Sequence, residues 1–385
     1  MLQPVETFCC IAQRLSLICL VFSHHLMILI TACYCLLLPV TACFAFLRKT
    51  PHSLPRLTLE IENRMVYGAI VGSKRKISMP LAPEYKAMLD QLAAGDSAPS
   101  ISELPINEGR ALYRAMRPVN EDIKVSRIRN ESVPGPNGPI SVRIYQPGVT
   151  TGVLIFFHGG GWVIGDLDTS DAVCREISTI GELNVISVDY RLAPEHCFPG
   201  AVEDCFAVTK WAHENMGTLD GNGKIGVAGE SAGGNLSAVV SKLVRDQCDF
   251  DLTYQCLLYP VTDSDLTRKS YQENGEGFML DTSVMRWFWD TYCPDNQQRQ
   301  DDRATPINST NLTDLPAALT VVAEFDPLKD EGIAYAQKLL EAGNDSEILM
   351  CEGMLHDFCG MATSFESARA YFLQIISKIQ TRLGN

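Results

Sequence analysis

The chain has no Cys-X-X-Cys pair, and of its 14 cysteines the eight after residue 44 have no histidine partner at metal-ligand spacing. A structural zinc site and a dithiol redox centre are therefore not indicated. Positive charge is also scarce. The 32 Lys and Arg residues face 46 Asp and Glu, a formal net charge of −14, which argues against nucleic acid or an anionic membrane surface as the main partner. No Gly-Lys-Ser or Gly-Lys-Thr follows any glycine cluster, so a phosphate-cradling loop of the nucleotide-binding kind has no support. Histidines number seven, and a single one, His356, lies after residue 231.

What is present is enough apolar material for a sizeable core. Hydrophobic residues make up 46% of 385, so the chain holds one large α/β domain or two small ones. Six cysteines precede residue 44; the other eight are scattered, several inside apolar runs such as Gln255-Cys256-Leu257-Leu258. Thiols in such runs behave as small buried hydrophobes, and the folded part reads as facing a reducing compartment.

Residues 1–47 differ from the rest. From Leu26 to Leu47 there is no charged side chain and one proline, Pro39, a run long enough to span a bilayer. Three readings are open: a cleaved signal, with Val40-Thr41-Ala42-Cys43 or Ile30-Thr31-Ala32-Cys33 as its site; an uncleaved anchor; or an untranslated stretch ahead of a start at Met79. Arg14 is the one Lys or Arg before the run, whereas Arg48, Lys49, Arg56, Lys74, Arg75 and Lys76 follow it. That bias places the downstream domain in the cytoplasm and favours the last two readings over cleavage. Residues 48–80 read as a linker, and 81–385 as the folded domain.

Within that domain, Pro83–Leu92 and Ile101–Met116 read as amphipathic helices. Alternating Ile123, Val125 and Ile128, then Ile140, Val142 and Ile144, flank the turn Gly135-Pro136-Asn137-Gly138 and predict a hairpin. Apolar strand runs then alternate with helical patterns: Val153–Phe157, Asn184–Asp189, Lys224–Gly229, Gln255–Tyr259, Ala318–Phe325 and Ser346–Cys351. Such alternation predicts a doubly wound, mostly parallel sheet. The interval 264–300 breaks the rhythm with an aromatic-rich stretch (Phe278, Trp287, Phe288, Trp289, Tyr292), as expected of an insertion covering a pocket.

Gly229-Glu230-Ser231-Ala232-Gly233 sits between the apolar run Ile225–Ala228 and a segment with helical spacing (Leu236, Val239, Val240, Leu243, Val244). Gly-X-Ser-X-Gly alone arises by chance in glycine-rich loops. Placed between strand and helix, it lifts a serine hydroxyl out of the sheet and sets the Ala232 amide at a helix N-terminus. The third strand is followed by His158-Gly159-Gly160-Gly161-Trp162. Its Gly160 and Gly161 amides, with that of Ala232, suit an oxyanion hole, and Gly159 shapes the turn. Ser231 needs a base: His356 stands alone downstream, in a loop after the last strand. The orienting acid is Asp326, ending the preceding strand, with Asp330 and Glu331 as competitors in the next helix's first turn.

His158–Trp162, Asp189-Tyr190-Arg191-Leu192-Ala193-Pro194-Glu195, Gly229–Gly234 and Asp326-Pro327-Leu328-Lys329-Asp330-Glu331-Gly332 together resemble the hormone-sensitive-lipase-like esterases, chiefly their bacterial branch (the family IV type). The resemblance covers about residues 80–385. It implies an α/β-hydrolase with an eight-stranded, mostly parallel sheet and a helical cap, here from 81–120 and 264–300. It also implies a serine carboxylesterase for short- to medium-chain esters, with His158 and Glu230 as motif support, no metal and no diffusible cofactor. A lipase and an amide or carbamate hydrolase share the same triad. Plant gibberellin receptors resemble the chain too but have lost the histidine base. Two positions depart from the branch: Glu230 where it usually has Asp or Thr, and Asp357 where it usually has Gly. The implied partner is a small ester; a homodimer, and membrane contact through residues 26–47, as in arylacetamide-deacetylase-like relatives, are compatible with the sequence.

Overall fold

The computed structural model of the protein describes residues 80–94 and 99–385. The apolar leader, and all of the linker except Pro80, lie outside the described residues. Within the described residues, no helix is long and apolar enough to cross a membrane.

Eight strands form one sheet: β1 (Arg127–Gly135), β2 (Gly138–Gln146), β3 (Thr151–Phe157), β4 (Asn184–Asp189), β5 (Gly221–Glu230), β6 (Tyr254–Leu258), β7 (Ala317–Phe325) and β8 (Ser346–Leu355). Their order is β1-β2-β4-β3-β5-β6-β7-β8. The β1–β2 and β2–β4 pairs are antiparallel and all others parallel, the mostly parallel sheet of an α/β-hydrolase. Side chains alternate between the two faces, and both faces are covered. Val153, Ile155 and Phe157 join one apolar cluster, while Leu154 and Phe156 join the other, which explains why β3 reads as an unbroken hydrophobic run.

The covering helices are α3 (Asp171–Ile180), α4 (Gly200–Glu214), α5 (Ala232–Gln247), α8 (Lys329–Glu341) and α9 (Glu366–Leu383). Two helices precede the sheet, α1 (Pro83–Ala94) and α2 (Ile106–Met116). Two more, α6 (Lys269–Asn274) and α7 (Thr282–Tyr292), fall in the interval after β6. The chain order reverses at the β3/β5 pair, since β4 lies on one side of β3 and β5 on the other. In open α/β sheets ligands bind outside the strands' C-terminal ends at such a reversal.

Several element bounds differ from the sequence reading, most by one to three residues, and three larger shifts have a local reason. Helix α2 begins at Ile106 rather than Ile101, because Pro105 precedes it and disfavours helical backbone at Leu104. Strand β1 begins at Arg127 rather than near Ile123; its partner stops at Gln146, where Pro147 offers no N–H to extend the ladder. Strand β8 runs on to Leu355 although Glu352 and Gly353 interrupt its apolar run, because an irregularity in the ladder after Ala323 brings Phe325 opposite Leu355.

Candidate active site

Ser231 stands between β5 and α5 with φ 56° and ψ −113°, a region that disfavours side-chain-bearing residues and costs about 1–3 kcal/mol. The strain persists because its surroundings over-determine it. The Ser231 N–H donates to the Leu258 carbonyl at 2.8 Å, and its own carbonyl accepts from Asn235 and Val261. The flanking glycines are sterically required. A Cβ on Gly233 would lie 1.9 Å from the Phe157 carbonyl oxygen, and one on Gly229 would lie 2.3 Å from the Gly233 carbonyl oxygen.

Three side chains converge from three strand ends. His356 Nε2 lies 3.0 Å from Ser231 Oγ, and His356 Nδ1 lies 2.8 Å from Asp326 Oδ2. All three are buried. Asp326 Oδ1 accepts the Leu328 N–H at 2.8 Å, so the carboxylate is held on both oxygens. The competing acids are occupied elsewhere. Asp330 Oδ2 accepts the Ser270 N–H at 2.9 Å. Glu331 takes the amides of Thr262 and Asp263 and the Tyr271 hydroxyl, and burial pushes its carboxyl well above the usual range.

The glycine loop runs alongside the sharp strand-to-helix elbow Gly229–Gly233: a Cβ on Gly159 would lie 3.3 Å from the Glu230 carbonyl oxygen and 3.7 Å from Ser231 Cβ. Gly160 and Gly161 have φ of 109° and 57°; the first also meets the Ile164 carbonyl too closely for any side chain. Among the described residues neither of their N–H groups donates to a protein acceptor. Ala232, first in α5, has no intrahelical acceptor for its N–H. His158 anchors the loop: its Nδ1 donates to the Gly159 carbonyl at 2.7 Å, and its ring stacks on Tyr190 at 4.1 Å. Burial lowers its pKa to about 4, so the ring is neutral. From α7, the Phe288 ring packs directly on Gly161. Trp162 is stacked on Tyr292 and tilted against Trp289.

Helix α2 reaches the same region through arginines on one face. Arg110 donates to the Val163 and Ala193 carbonyls and, in a fork, to Glu195; Arg114 donates to Asp166. Among the described residues no group of three or more His, Cys, Asp or Glu is arranged to hold a metal ion.

Residues 154–360 match the family model described as the alpha/beta hydrolase fold. The chain is 40% identical over 284 residues to the carboxylic ester hydrolase LipN of Mycobacterium tuberculosis, covering 71% of this chain and 75% of that protein. It is 37% identical over 290 residues to the carboxylesterase NlhH of the same species, covering 73% and 89%. A solved structure, the hyperthermophilic esterase from the archaeon Pyrobaculum calidifontis, superimposes with a TM-score of 0.73 at 35% identity, over 79% of this chain and 99% of that one. The chain belongs to the hormone-sensitive-lipase-like α/β-hydrolases.

Within this family pattern, the two departures at Glu230 and Asp357 meet in space. Both carboxylates face Arg117, the residue that ends α2: Asp357 Oδ2 accepts from Arg117 Nη2, and Glu230 Oε2 lies 3.7 Å from Arg117 Nη1. Asp357 therefore turns toward Arg117, while Asp326 takes His356 Nδ1. Tyr259 completes the group, donating its hydroxyl to Glu230 Oε1 at 2.8 Å while its ring sits edge-on to His356 at 5.0 Å. Arg117 and Tyr259 were not singled out in the sequence. The signal for Arg117 was indirect: two acids beside the nucleophile and the base require a cation.

Proposed function

We propose that the protein is a serine carboxylesterase. Ser231 Oγ attacks the ester carbonyl while His356 Nε2 takes its proton. Asp326 holds the imidazole's orientation and stabilises the imidazolium. The amides of Gly160, Gly161 and Ala232 receive the oxyanion, and Gly159 keeps the loop against the elbow. His356 then protonates the departing alkoxide. Water, deprotonated by the same imidazole, attacks the acyl-enzyme and releases the carboxylic acid. The observation that carries this reading is the buried hydrogen-bonded chain Ser231–His356–Asp326. Glycine amides without protein acceptors beside it support the oxyanion assignment.

The substrates are small esters with short to medium acyl chains. Support comes from Phe288 packed on Gly161 and from α2 strapped across the 163–166 and 193–195 segments. On this reading 81–120 and 264–300 form the cap over the 81–385 hydrolase domain. The eight cysteines among the described residues are all free, six of them buried. Together with the charge bias around the leader, this supports a cytoplasmic catalytic domain, tethered through 26–47 where that segment is made.

Two measurements test the reading together. A fluorophosphonate probe should label Ser231 and no other serine, and Ser231→Ala should leave at most about 10³–10⁴-fold acceleration over water across an acyl-length series of 4-nitrophenyl esters. Substantial turnover by the alanine variant would falsify the nucleophile assignment.

A further inference from the structure

The residue before the nucleophile and the residue after the base are joined through one side chain that belongs to neither loop. Arg117 leaves the C-terminal end of α2. Its guanidinium is largely buried between Glu230, whose side chain is 1% exposed, and Asp357, 15% exposed. It also donates to the Thr169 carbonyl at 3.4 Å and lies over the Tyr113 ring at 5.0 Å. The loop after His356 wraps around it closely enough that a Cβ on Gly360 would come within 2.7 Å of Arg117 Nη2. One oxygen of Glu230, Oε2, has no hydrogen-bond partner and faces this guanidinium, while the other fixes Tyr259.

Asp357 sits in left-handed backbone, φ 67° and ψ 21°, where glycine is the easier residue. An aspartate at such a position needs a compensating contact, and its contact here is Arg117. Both arms of the arrangement end at His356. One runs through Asp357, the next residue in the chain. The other runs through Glu230 and Tyr259 to the edge-on ring contact with the imidazole.

We propose that Arg117 is a positioning residue that locks His356 in register with Ser231, and that it does so by clamping Asp357 and Glu230, so that seating of α2 and alignment of the base are one event. Removing the clamp leaves the triad residues present and the base less well held. Misplacement of a catalytic group by about 1 Å costs roughly a hundredfold in rate, so the expected loss falls on kcat rather than on KM. The proposal rests on the esterase reading for its kinetic arm and on structure alone for its dynamic arm.

The test uses the full chain, with active sites counted by fluorophosphonate titration, 4-nitrophenyl butyrate as substrate, and hydrogen exchange of segment 354–361 measured in parallel. Asp357→Gly is the decisive variant, because it removes the clamp's direct arm to the base while relieving the left-handed strain. It should keep or raise Tm, lower kcat per titrated site roughly ten- to a hundredfold with KM within about threefold, and speed exchange in 354–361. Arg117→Met should do the same to kcat and exchange. Arg117→Lys, which keeps the charge, should recover part of the loss. Combining Arg117→Met with Asp357→Gly should cost little more than either alone. Unchanged kcat per site in Asp357→Gly overturns the proposal, as does a loss in Arg117→Met that follows Tm alone. Should the wild type neither hydrolyse esters nor take the probe, the esterase reading fails separately. Hydrogen exchange then decides the clamp: faster exchange in both variants upholds it, and unchanged exchange overturns it.

Discussion

Helices α5 and α2 serve the same site by opposite means. Of the 16 residues of α5, 12 are buried, and its Leu236, Val239, Val240, Leu243 and Val244 all lie in the apolar cluster on one face of the sheet. Burial of such side chains stabilises by about 2 kcal/mol each and is not screened by salt as ion pairs are. Of the 11 residues of α2, only Gly109 is buried. That helix is held through Arg110, Arg114 and Arg117, spaced to share one face. The nucleophile thus rides on a rigid apolar support, and the element beside the base is tied by charge. The lesson is that apolar support fixes the nucleophile, while the charged tether covers the site and, through Arg117, reaches the base.

The largest expected effect lies in the rigid half. Asp326→Asn should lower kcat by about 10⁴, since the amide presents the wrong partner to His356 Nδ1. Asp330→Asn should stay within about tenfold, because Asp330 holds only the Ser270 amide. Exchange of these two results in a kcat comparison would make Asp330 the orienting acid and would break the description of the site.

Next comes the close approach beneath the elbow. Gly233→Ala places a methyl group 1.9 Å from the Phe157 carbonyl oxygen, where backbone on both sides must move. We expect a loss of about 3 kcal/mol or more in denaturant unfolding. Gly217→Ala, which meets nothing within 4 Å and lies outside the elbow, should change stability by under about 1 kcal/mol. A mild Gly233→Ala would mean that the support is softer than its burial implies.

The buried imidazole of His158 gives the rigid half a pH signature. Its folded pKa, about 4, lies below the ordinary value of 6.5 because burial disfavours the charged ring. The unfolded chain therefore binds this proton first as pH falls. Stability is fully present above 6.5 and is lost between 6.5 and 4, by on the order of 3 kcal/mol from this residue. Equilibrium unfolding at pH 7 and pH 4.5 should show the loss, and His158→Asn, which keeps an N–H for the Gly159 carbonyl, should flatten it.

The two halves were unequally legible in the sequence. The six parallel strands announced themselves as apolar runs because both sheet faces are covered, and the elbow and glycine loop carry steric demands that only their own residues meet. Helix α2 was legible as a helix, but not in what holds it. Arg117 meets Asp357 across 240 positions, and nothing near either residue encodes that pairing. The end of β8 was hidden for a related reason: Glu352 and Gly353 break its apolar run, yet pairing with β7 carries the strand past them. Short-range pattern reveals what local sterics and burial dictate, whereas long-range charge pairing shows only as an unexplained acid.

The smallest effect expected is in the charged half, and its salt dependence is what identifies it. Arg114 donates to Asp166 at 2.6 Å, but its side chain is 58% exposed, so the pair contributes about 0–1 kcal/mol and is screened by added salt. Arg114→Ala should therefore leave Tm and kcat nearly unchanged, because Arg117 still seats the C-terminal end of α2, and raise KM about two- to threefold at low ionic strength, because the 163–166 segment is less firmly held. In 0.5 M KCl the wild type should approach the variant, and the difference in KM should close. Arg110→Ala should do more and keep part of its effect in salt, since Arg110 also donates to the Val163 and Ala193 carbonyls, bonds that screening weakens less than an exposed ion pair. A salt-independent KM in the wild type, with Arg114→Ala unchanged from it, would mean that α2 is held by its apolar contacts through Ile106 and Tyr113, and the contrast between the two helices would be one of degree.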